Sequence, residues 1–340
     1  MALISYQGEQ YEAMTDESVL DTLLRHNIDI PYSCHAGVCH ACIMVSDSIK
    51  SPCEANHGLR DTLIEQGYIL ACQCKPAEAI SVKHADEYEI FANAIVVEKN
   101  MLSDNVCQLK LHPAIDLYYR AGQYINLRTP DGQIRSYSLA SLPSYDDYIE
   151  LHIKRMLNGE VSHWLYDDVK EGDTLEIQGA YGECFYLTQH TDRDIVMIAT
   201  GTGLAPLIGI LRDALAHGHQ GKIKLYHGDR NSQDLYLDGE LRSMTEQYQN
   251  LEYFPCVSDA ESQNGDSFFH GRASDLAFTQ NTDLKGCCVF LCGSPEMVKS
   301  AQKQAFLNGA DIKHIYADPF ITKELRQSDS NVSLKRRSSD

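Results

Sequence analysis

A chain of 340 residues with 43% hydrophobic composition is long enough for two or three domains and ordinary for a globular protein. Its formal net charge of −19 argues against nucleic-acid binding, which needs a basic surface, and disfavours anionic membranes. The longest uncharged run, 195–211, contains three glycines and a proline and is shorter than the roughly 20 residues of a membrane-spanning helix, so no membrane insertion is expected.

The cysteine content bears on the cellular compartment. The chain has twelve cysteines, but disulfide frameworks are typical of short secreted chains, and the first ten residues lack the pattern of a signal peptide. Reduced thiols in a cytoplasmic protein are therefore expected. The acidic charge leaves two interpretations open: a basic protein partner, whose encounter complementary charge would speed, or an acidic surface that only aids solubility.

The first predicted domain, residues 1–86, contains four cysteines at a distinctive spacing. Cys34-x₄-Cys39-x₂-Cys42 is followed, after 29 intervening residues, by Cys72. Plant-type ferredoxins bind a [2Fe–2S] cluster with this spacing, since each iron needs two thiolates. These four cysteines are therefore the predicted metal ligands.

The surroundings of these cysteines agree with that prediction. Gly37 lets the loop fold back tightly, and an amphipathic helix is predicted over 18–26 in a small α+β domain. Cys74 follows the fourth ligand by two residues, but the spacing favours Cys72. His40 is a large polar residue next to a ligand, and whether it tunes the cluster potential is left open.

The second predicted domain, residues 88–188, has short strands of alternating polarity separated by turn residues. Their spacing predicts a closed antiparallel barrel. The predicted strands are 94–98, 107–111, 124–128, 137–139, 149–153 and 174–178.

Two motifs in this domain have the chemistry of a flavin site. Arg135-Ser-Tyr137-Ser138 offers a guanidinium to a diphosphate, an aromatic ring to a flat heterocycle and a hydroxyl to a ring nitrogen. A short helix near 161–168 opens at Gly159-Glu-Val-Ser162, where backbone amides suit phosphate oxygens.

The third predicted domain, residues 190–322, alternates strands and helices, which predicts a parallel sheet covered on both faces. Thr200-Gly-Thr-Gly203 lies between a buried strand and a helix, as in loops that bind a dinucleotide pyrophosphate. The next strand ends in Asp229 and Arg230; the first suits NADH and the second NADPH, so the coenzyme is left open. Cys292 ends a later strand at the edge where such sheets bind ligands.

Together these motifs resemble the ferredoxin-containing members of the ferredoxin–NADP reductase superfamily. The resemblance is strongest to the reductase components of bacterial ring-hydroxylating dioxygenases and multicomponent monooxygenases, and it covers residues 3–322. It implies a β-grasp-type [2Fe–2S] ferredoxin domain, an antiparallel β-barrel FAD domain and a doubly wound parallel-sheet NAD(P) domain. FAD is implied because the ferredoxin domain comes first. Residues 326–340 are polar and serine-rich, and a disordered tail is expected there.

The resemblance also implies roles for individual residues. Arg135 would contact the FAD diphosphate, Tyr137 the isoalloxazine face and Ser138 the region of N5, while Cys292 would lie near the reactive carbon of the nicotinamide. The closing sequence 315–320 would place an acidic group and an aromatic ring beside the flavin. The residues expected to shape hydride transfer are Ser138, Cys292, Asp318 and Phe320. Those expected to bind the cofactors are Arg135, Tyr137, Ser138, His152, Lys154, Gly159, Val161, Ser162, Thr200, Gly201, Thr202, Gly203, Asp229, Arg230, Cys292, Gly293, Met297 and Phe320.

The resulting interpretation is an NAD(P)H-dependent iron–sulfur flavoprotein reductase of the ferredoxin–NAD(P) reductase type, with NADH favoured by resemblance. Electrons would pass through FAD and the cluster to an iron-containing oxygenase, as in aromatic hydrocarbon catabolism, and the protein would be monomeric. Two alternatives stay open. The same relay could serve a biosynthetic partner such as a deoxysugar dehydratase, or the chain could be a ferredoxin-type carrier whose reductase half is inactive.

Overall fold

A computed structural model of the chain describes residues 2–30, 42–47, 53–56, 59, 61–84, 91–259 and 267–320. The predictions made for Cys34, Cys39, His40 and the tail at 326–340 lie outside these residues. The chain divides into two compact units, which are Met1–Ile90 and Phe91–Asp340. No helix in the described ranges is both long and apolar enough to cross a membrane.

The first unit is built on a five-stranded mixed sheet. Its strands and helices are β1 (Leu3–Tyr6), β2 (Glu9–Glu12), α1 (Val19–Arg25), β3 (Ile43–Ser46), α2 (Asp61–Glu65), β4 (Tyr68–Leu70) and β5 (Ile80–His84). The strand order is β2–β1–β5–β3–β4, with β1 parallel to β5 and the other neighbouring pairs antiparallel.

Local sequence explains most of these elements. Helix α1 begins after Ser18, whose hydroxyl accepts a hydrogen bond from a backbone amide of the first turn. Val19, Leu20 and Leu23 lie on one face of this helix and are buried in the core of the unit. Strand β2 is not predicted from the sequence, because Tyr11 is the one buried residue among its four and no apolar alternation marks the strand.

The first half of the second unit is an antiparallel barrel. Its elements are β6 (Ala92–Ser103), β7 (Val106–Pro113), β8 (Tyr124–Arg128), β9 (Ile134–Ser138), β10 (Ile149–Lys154), α3 (Glu160–His163) and β11 (Thr174–Tyr181). The strand order is β10–β7–β6–β11–β8–β9, and a bridge between Leu139 and Leu151 joins the two ends. The predicted closed barrel is therefore confirmed. A π-helical turn, Trp164–Asp168, continues α3.

Strand β10 shows how the barrel divides its side chains between two environments. Ile149, Leu151 and Ile153 belong to the hydrophobic core inside the barrel. Since side chains alternate along a strand, Glu150 and His152 lie on its outer face, yet both are buried. Something other than solvent must therefore cover this outer face.

The second half of this unit is a parallel sheet with helices. Its elements are β12 (Ile195–Thr200), α4 (Leu204–Ala216), β13 (Ile223–Asp229), α5 (Asp238–Gln247), β14 (Leu251–Val257), β15 (Phe269–His270), α6 (Ala273–Gln280), β16 (Cys288–Gly293), α7 (Pro295–Leu307) and β17 (Ile315–Pro319). The strand order is β15–β14–β13–β12–β16–β17, and every neighbouring pair is parallel.

Both faces of this sheet are covered by apolar side chains. On β12, Met197 belongs to one hydrophobic core and Ile198 to the other, as alternation along a doubly covered strand requires. The first of these cores also contains Ala140, Cys184 and Tyr186, which come from the barrel half and the segment after β11. The barrel and the parallel sheet therefore share one continuous core.

Candidate functional site

The predicted dinucleotide loop lies at the carboxyl end of β12. Gly201–Gly203 form one 3₁₀ turn between β12 and α4, and the φ angle of Gly201 is +54°. A Cβ atom added to Gly203 would lie 2.2 Å from the carbonyl oxygen of Cys292. Only glycine at position 203 therefore lets the turn lie against the end of β16.

The turn after β16 lies against the same loop. The amide of Ser294 donates a hydrogen bond to Thr200 Oγ1 (3.0 Å), and a Cβ atom added to Gly293 would lie 2.3 Å from that oxygen. Ser294 also caps α7 by accepting a hydrogen bond from the amide of Met297. The amide of Phe320 donates to the carbonyl of Gly293 (2.8 Å). The predicted loop residues therefore meet at one edge of the sheet.

Two opposite charges flank this loop. Lys154 Nζ lies 3.3 Å from Asp229 Oδ2, and Asp229 Oδ1 accepts a hydrogen bond from the amide of Arg230. A Cβ atom added to Gly201 would lie 3.4 Å from Lys154 Nζ and 3.6 Å from Asp229 Oδ2. A cation beside an open glycine turn suits a pyrophosphate, and a carboxylate at the end of β13 suits ribose hydroxyls. The loop thus fits a nicotinamide dinucleotide.

Strand β9 fits a flavin diphosphate. Arg135 donates hydrogen bonds to the carbonyl of Ile134 (2.7 Å) and the amide oxygen of Gln133 (3.4 Å), and no carboxylate in the described part of the chain pairs with it. An arginine without an acidic partner is suited to an anionic ligand. Tyr137 packs against the barrel core, and burial raises the pKa of its hydroxyl, so the group stays protonated.

The turn before α3 is the second part of the predicted flavin site. Ser162 Oγ donates to the carbonyl of Gly159 (2.9 Å) and accepts from the amide of Met156 (3.1 Å). A Cβ atom added to Gly159 would lie 2.4 Å from Ser162 Oγ. Val161 points into the barrel core, so its backbone, rather than its side chain, is the part that can face a phosphate.

Three predicted residues from three strands converge where the barrel meets the parallel sheet. Ser138 Oγ donates a hydrogen bond to Asp318 Oδ2 (3.2 Å), and Asp318 is the register partner of Cys292 across β16 and β17. Desolvation raises the pKa of Asp318 to about 6, against the opposing effect of the Ser138 hydrogen bond. Burial and the thiol of Cys184, whose Sγ lies 3.8 Å away, raise the pKa of Cys292 well above its usual value. Cys292 is therefore a neutral thiol.

Two of the four predicted cluster ligands are described. Cys42 and Cys72 are buried, and neither forms a disulfide. The carbonyl of Cys42 accepts a hydrogen bond from the amide of Ala71 (3.0 Å), so both ligand segments lie at one end of the β3–β4 pair. The side-chain amide of Gln73 lies 3.5 Å from Cys72 Sγ. Buried cysteines on adjacent segments, without a disulfide, fit a thiolate-bound cluster.

One set of buried polar residues was not recognised as a unit from the sequence. His152 was expected to bind a cofactor, but Glu150 and Tyr236 engage its two ring nitrogens, and Glu150 also pairs with Arg212. In the sequence, this set is indicated by three polar residues, Glu150, His152 and Lys154, that alternate with apolar residues in one strand. Their partners lie far away in the sequence, so the pairing could not be inferred.

Comparisons with protein families agree with these three regions. Residues 4–77 match the 2Fe-2S iron-sulfur cluster binding domain, residues 93–186 the oxidoreductase FAD-binding domain, and residues 197–303 the oxidoreductase NAD-binding domain.

Curated relatives match the chain over most of its length. The chain is 32% identical to the reductase subunit of an aromatic O-demethylase from an Amycolatopsis species, over 88% of this chain and 92% of the relative. It is 30% identical to the ferredoxin–NAD(P)⁺ reductase component of the naphthalene 1,2-dioxygenase system of Pseudomonas putida, over 89% and 93%. The chain belongs to the ferredoxin-containing NAD(P)H reductases. This reductase uses a [2Fe–2S] cluster, FAD and NAD(P)H, as the sequence predicts.

A solved structure agrees with the assignment. The cytochrome P450 reductase GcoB of Amycolatopsis matches the reductase with a TM-score of 0.65 and 28% identity, over 94% of this chain and 99% of that one. The predicted order of a ferredoxin domain, a flavin barrel and a parallel nucleotide-binding sheet is therefore confirmed.

Proposed function

We propose that this reductase takes electrons from NADH and delivers them to a separate iron-containing oxygenase that acts on aromatic substrates. The observation that supports this most is the convergence of Ser138, Cys292 and Asp318 beside the dinucleotide loop. Two similar proteins are reductase parts of an aromatic O-demethylase and of a naphthalene dioxygenase system. A monomer in the cytoplasm, divided at 1–86, 88–188 and 190–322, is part of the same proposal.

The residues of the site would bind and align the cofactors. Arg135, Gly159 and Ser162 would hold FAD through its phosphates, and Thr200–Gly203 would hold the dinucleotide. FAD held there would supply the chemistry that links two-electron hydride transfer to one-electron transfer. The neutral thiol of Cys292 can pack against a nicotinamide ring without electrostatic cost.

Anaerobic stopped-flow reduction tests this proposal. NADH and NADPH are mixed in parallel with the reductase, and the flavin and iron–sulfur absorbance bands are followed. Rapid bleaching of the flavin band, then the cluster band, is expected with NADH. A reconstituted protein that oxidises neither coenzyme would contradict the proposal, and electron transfer to a dehydratase but to no oxygenase would favour the biosynthetic alternative.

Coenzyme preference should depend on Asp229. Its carboxylate, at the end of β13, would repel a 2′-phosphate, and like charges brought together cost several kcal/mol. We expect Asp229→Ser to lower the ratio of kcat/KM for NADH to that for NADPH by about 10-fold or more. Arg230→Gln is the matched variant, because it alters the neighbouring charge and should leave NADH use unchanged. An unaltered ratio in Asp229→Ser would place the discriminating group elsewhere.

Turnover should depend on the ionisation of Asp318. Its pKa of about 6 means that the carboxylate, which can hold or take a proton at Oδ2, is present above that pH and is lost below it. We expect turnover to rise as pH increases through about 6. Asp318→Asn should abolish this rise and slow turnover at higher pH by about 10-fold, as loss of one hydrogen bond to a charged group would.

Ser138→Ala tests the role of Asp318 through the direction in which it shifts the pH dependence of turnover. The Ser138 hydrogen bond lowers the pKa of Asp318, so its removal should shift the rise in turnover to higher pH. An Asp318→Asn protein with the original pH profile would show that another group governs it.

A further inference from the structure

The outer face of β10 carries three polar residues, Glu150, His152 and Lys154, that alternate with the apolar residues of the barrel interior. The side chains of Glu150 and His152 are 3% and 0% exposed. Buried polar groups on a barrel exterior are costly unless they are paired. All three residues are paired, and in each case the partner belongs to the nucleotide-binding half.

The three pairs join different parts of that half. Glu150 Oε2 lies 3.4 Å from a guanidinium nitrogen of Arg212 on α4. His152 Nδ1 lies 3.1 Å from the hydroxyl of Tyr236, in the segment between β13 and α5. Lys154 Nζ lies 3.3 Å from Asp229 at the end of β13, as described above.

Glu150, His152 and Tyr236 form one continuous hydrogen-bond chain. Burial raises the pKa of Glu150, but hydrogen bonding to His152 and the charge of Arg212 outweigh it and lower this pKa to about 2. Burial raises the pKa of Tyr236, so its hydroxyl stays protonated. Because an ionised carboxylate only accepts, His152 Nε2 donates to Glu150 Oε1 (2.8 Å), and Nδ1 shares a hydrogen bond with the Tyr236 hydroxyl, so both ring nitrogens are satisfied.

This hydrogen-bond chain ends next to the strand that leads into the dinucleotide loop. The ring of Tyr236 meets the ring of His227 edge to face, with centroids 5.7 Å apart. His227 is fully buried on β13 and is the register partner of Ala199, which immediately precedes Thr200. Burial lowers the pKa of His227 to about 4, so it is a neutral packing partner. Lys154 on the outer face of β10 therefore lies beside the dinucleotide loop. Tyr236, which His152 holds, packs under the strand ends from which that loop begins.

We infer that His152 is a positioning residue: through Glu150 and Tyr236 it fixes the dinucleotide loop relative to the flavin-binding barrel, and so sets the geometry of hydride transfer. The inference rests on the proposed hydride transfer from NADH to FAD. It assigns the His152 side chain to the junction between the two halves rather than to either cofactor. Small misplacements of reacting groups slow a reaction more than they weaken ligand binding.

Tyr236→Phe tests the inference, because it removes the hydroxyl but keeps the ring against His152 and His227. Tyr226→Phe is the matched control: it removes the hydroxyl of another buried tyrosine, on β13, that bonds Gln280 and Asn281 on the side away from the barrel. Stopped-flow mixing with NADH gives the limiting rate of flavin reduction, the Kd for NADH and the charge-transfer absorbance between nicotinamide and flavin.

We expect Tyr236→Phe to lower the limiting rate by about 10-fold and to weaken the charge-transfer band, with flavin content and Kd unchanged. Tyr226→Phe should leave all these quantities unchanged. If both variants slowed reduction equally, or if Tyr236→Phe changed only the Kd, the positioning role would be wrong. Wild-type protein that did not oxidise NADH would contradict the proposed function instead.

A second variant guards against poor folding of the first. Glu150→Gln keeps an acceptor for His152 but removes the charge that pairs with Arg212, and it should lower the limiting rate in the same direction. A Glu150→Gln holoprotein with wild-type rate and charge-transfer band would overturn the inference.

Discussion

Replacing Cys72 by alanine is expected to abolish the iron–sulfur absorbance and to lower electron delivery to a protein acceptor by more than about 100-fold. Loss of a partner that only orients a ligand costs 10–100-fold in metal affinity or activity, and loss of a ligand itself should cost more. Flavin reduction by NADH should be unchanged, because the flavin-binding barrel has its own core in the other compact unit.

Cys74→Ala is the matched control for this experiment. Cys74 is fully buried in the apolar core of this unit and falls outside the ligand spacing, so we expect it to be a packing residue. The variant should keep its iron and lose about 1 kcal/mol of stability from the small cavity. Iron and acid-labile sulfide assays, with visible spectra, distinguish the two proteins. If Cys74→Ala lost the cluster and Cys72→Ala kept it, the assignment of the fourth ligand would be reversed.

Gly203→Ala should lower the rate of flavin reduction by NADH by roughly 100-fold, the loss that a displacement of about 1 Å can cause. The new Cβ atom would lie 2.2 Å from the carbonyl oxygen of Cys292, and neither backbone can yield without moving the dinucleotide loop away from β16. FAD should still bind, because Arg135 and Ser162 lie on other elements of the barrel.

Gly239→Ala controls for the general effect of replacing a glycine. A Cβ atom at position 239, within α5, would have no neighbour closer than 4 Å, and alanine favours the helix by roughly 0.5–1 kcal/mol. This variant should reduce its flavin at the normal rate and unfold at a slightly higher temperature. A Gly203→Ala protein with a normal rate would show that the loop is not held where the structure has it.

The sequence predicts elements best where their ends carry chemical signals. The sequence predicts strands over 124–128 and 251–257 and a helix over 295–307, and the bounds of β8, β14 and α7 agree residue for residue. Helix α7 has a serine cap followed by Pro295. Helix α5 was not predicted, because Leu241 is the one buried residue among its ten and the apolar pattern is lost. The elements that the sequence does not predict are therefore those held by tertiary contacts rather than marked by an apolar periodicity of their own.

The residues of the candidate site also differ in how well the sequence predicts them. Motifs that are contiguous in sequence, such as Thr200–Gly203, were predicted together, because the turn and its chemistry lie within a few residues. The environment of His152 could not be predicted, since it depends on Tyr236, 84 residues further along the chain. The hydrogen bond between Ser138 and Asp318 spans 180 residues and was foreseen only in outline, through resemblance to a family.

The core shared by the barrel and the parallel sheet constrains how this protein can evolve. Ala140 and Cys184 pack among the side chains of β12 and α4, so a substitution on either side of that core must be tolerated by both halves at once. The cluster-binding unit has a separate core and escapes this constraint. A substitution in the core of the cluster-binding unit therefore has no packing partner to satisfy in the core that the barrel and the parallel sheet share.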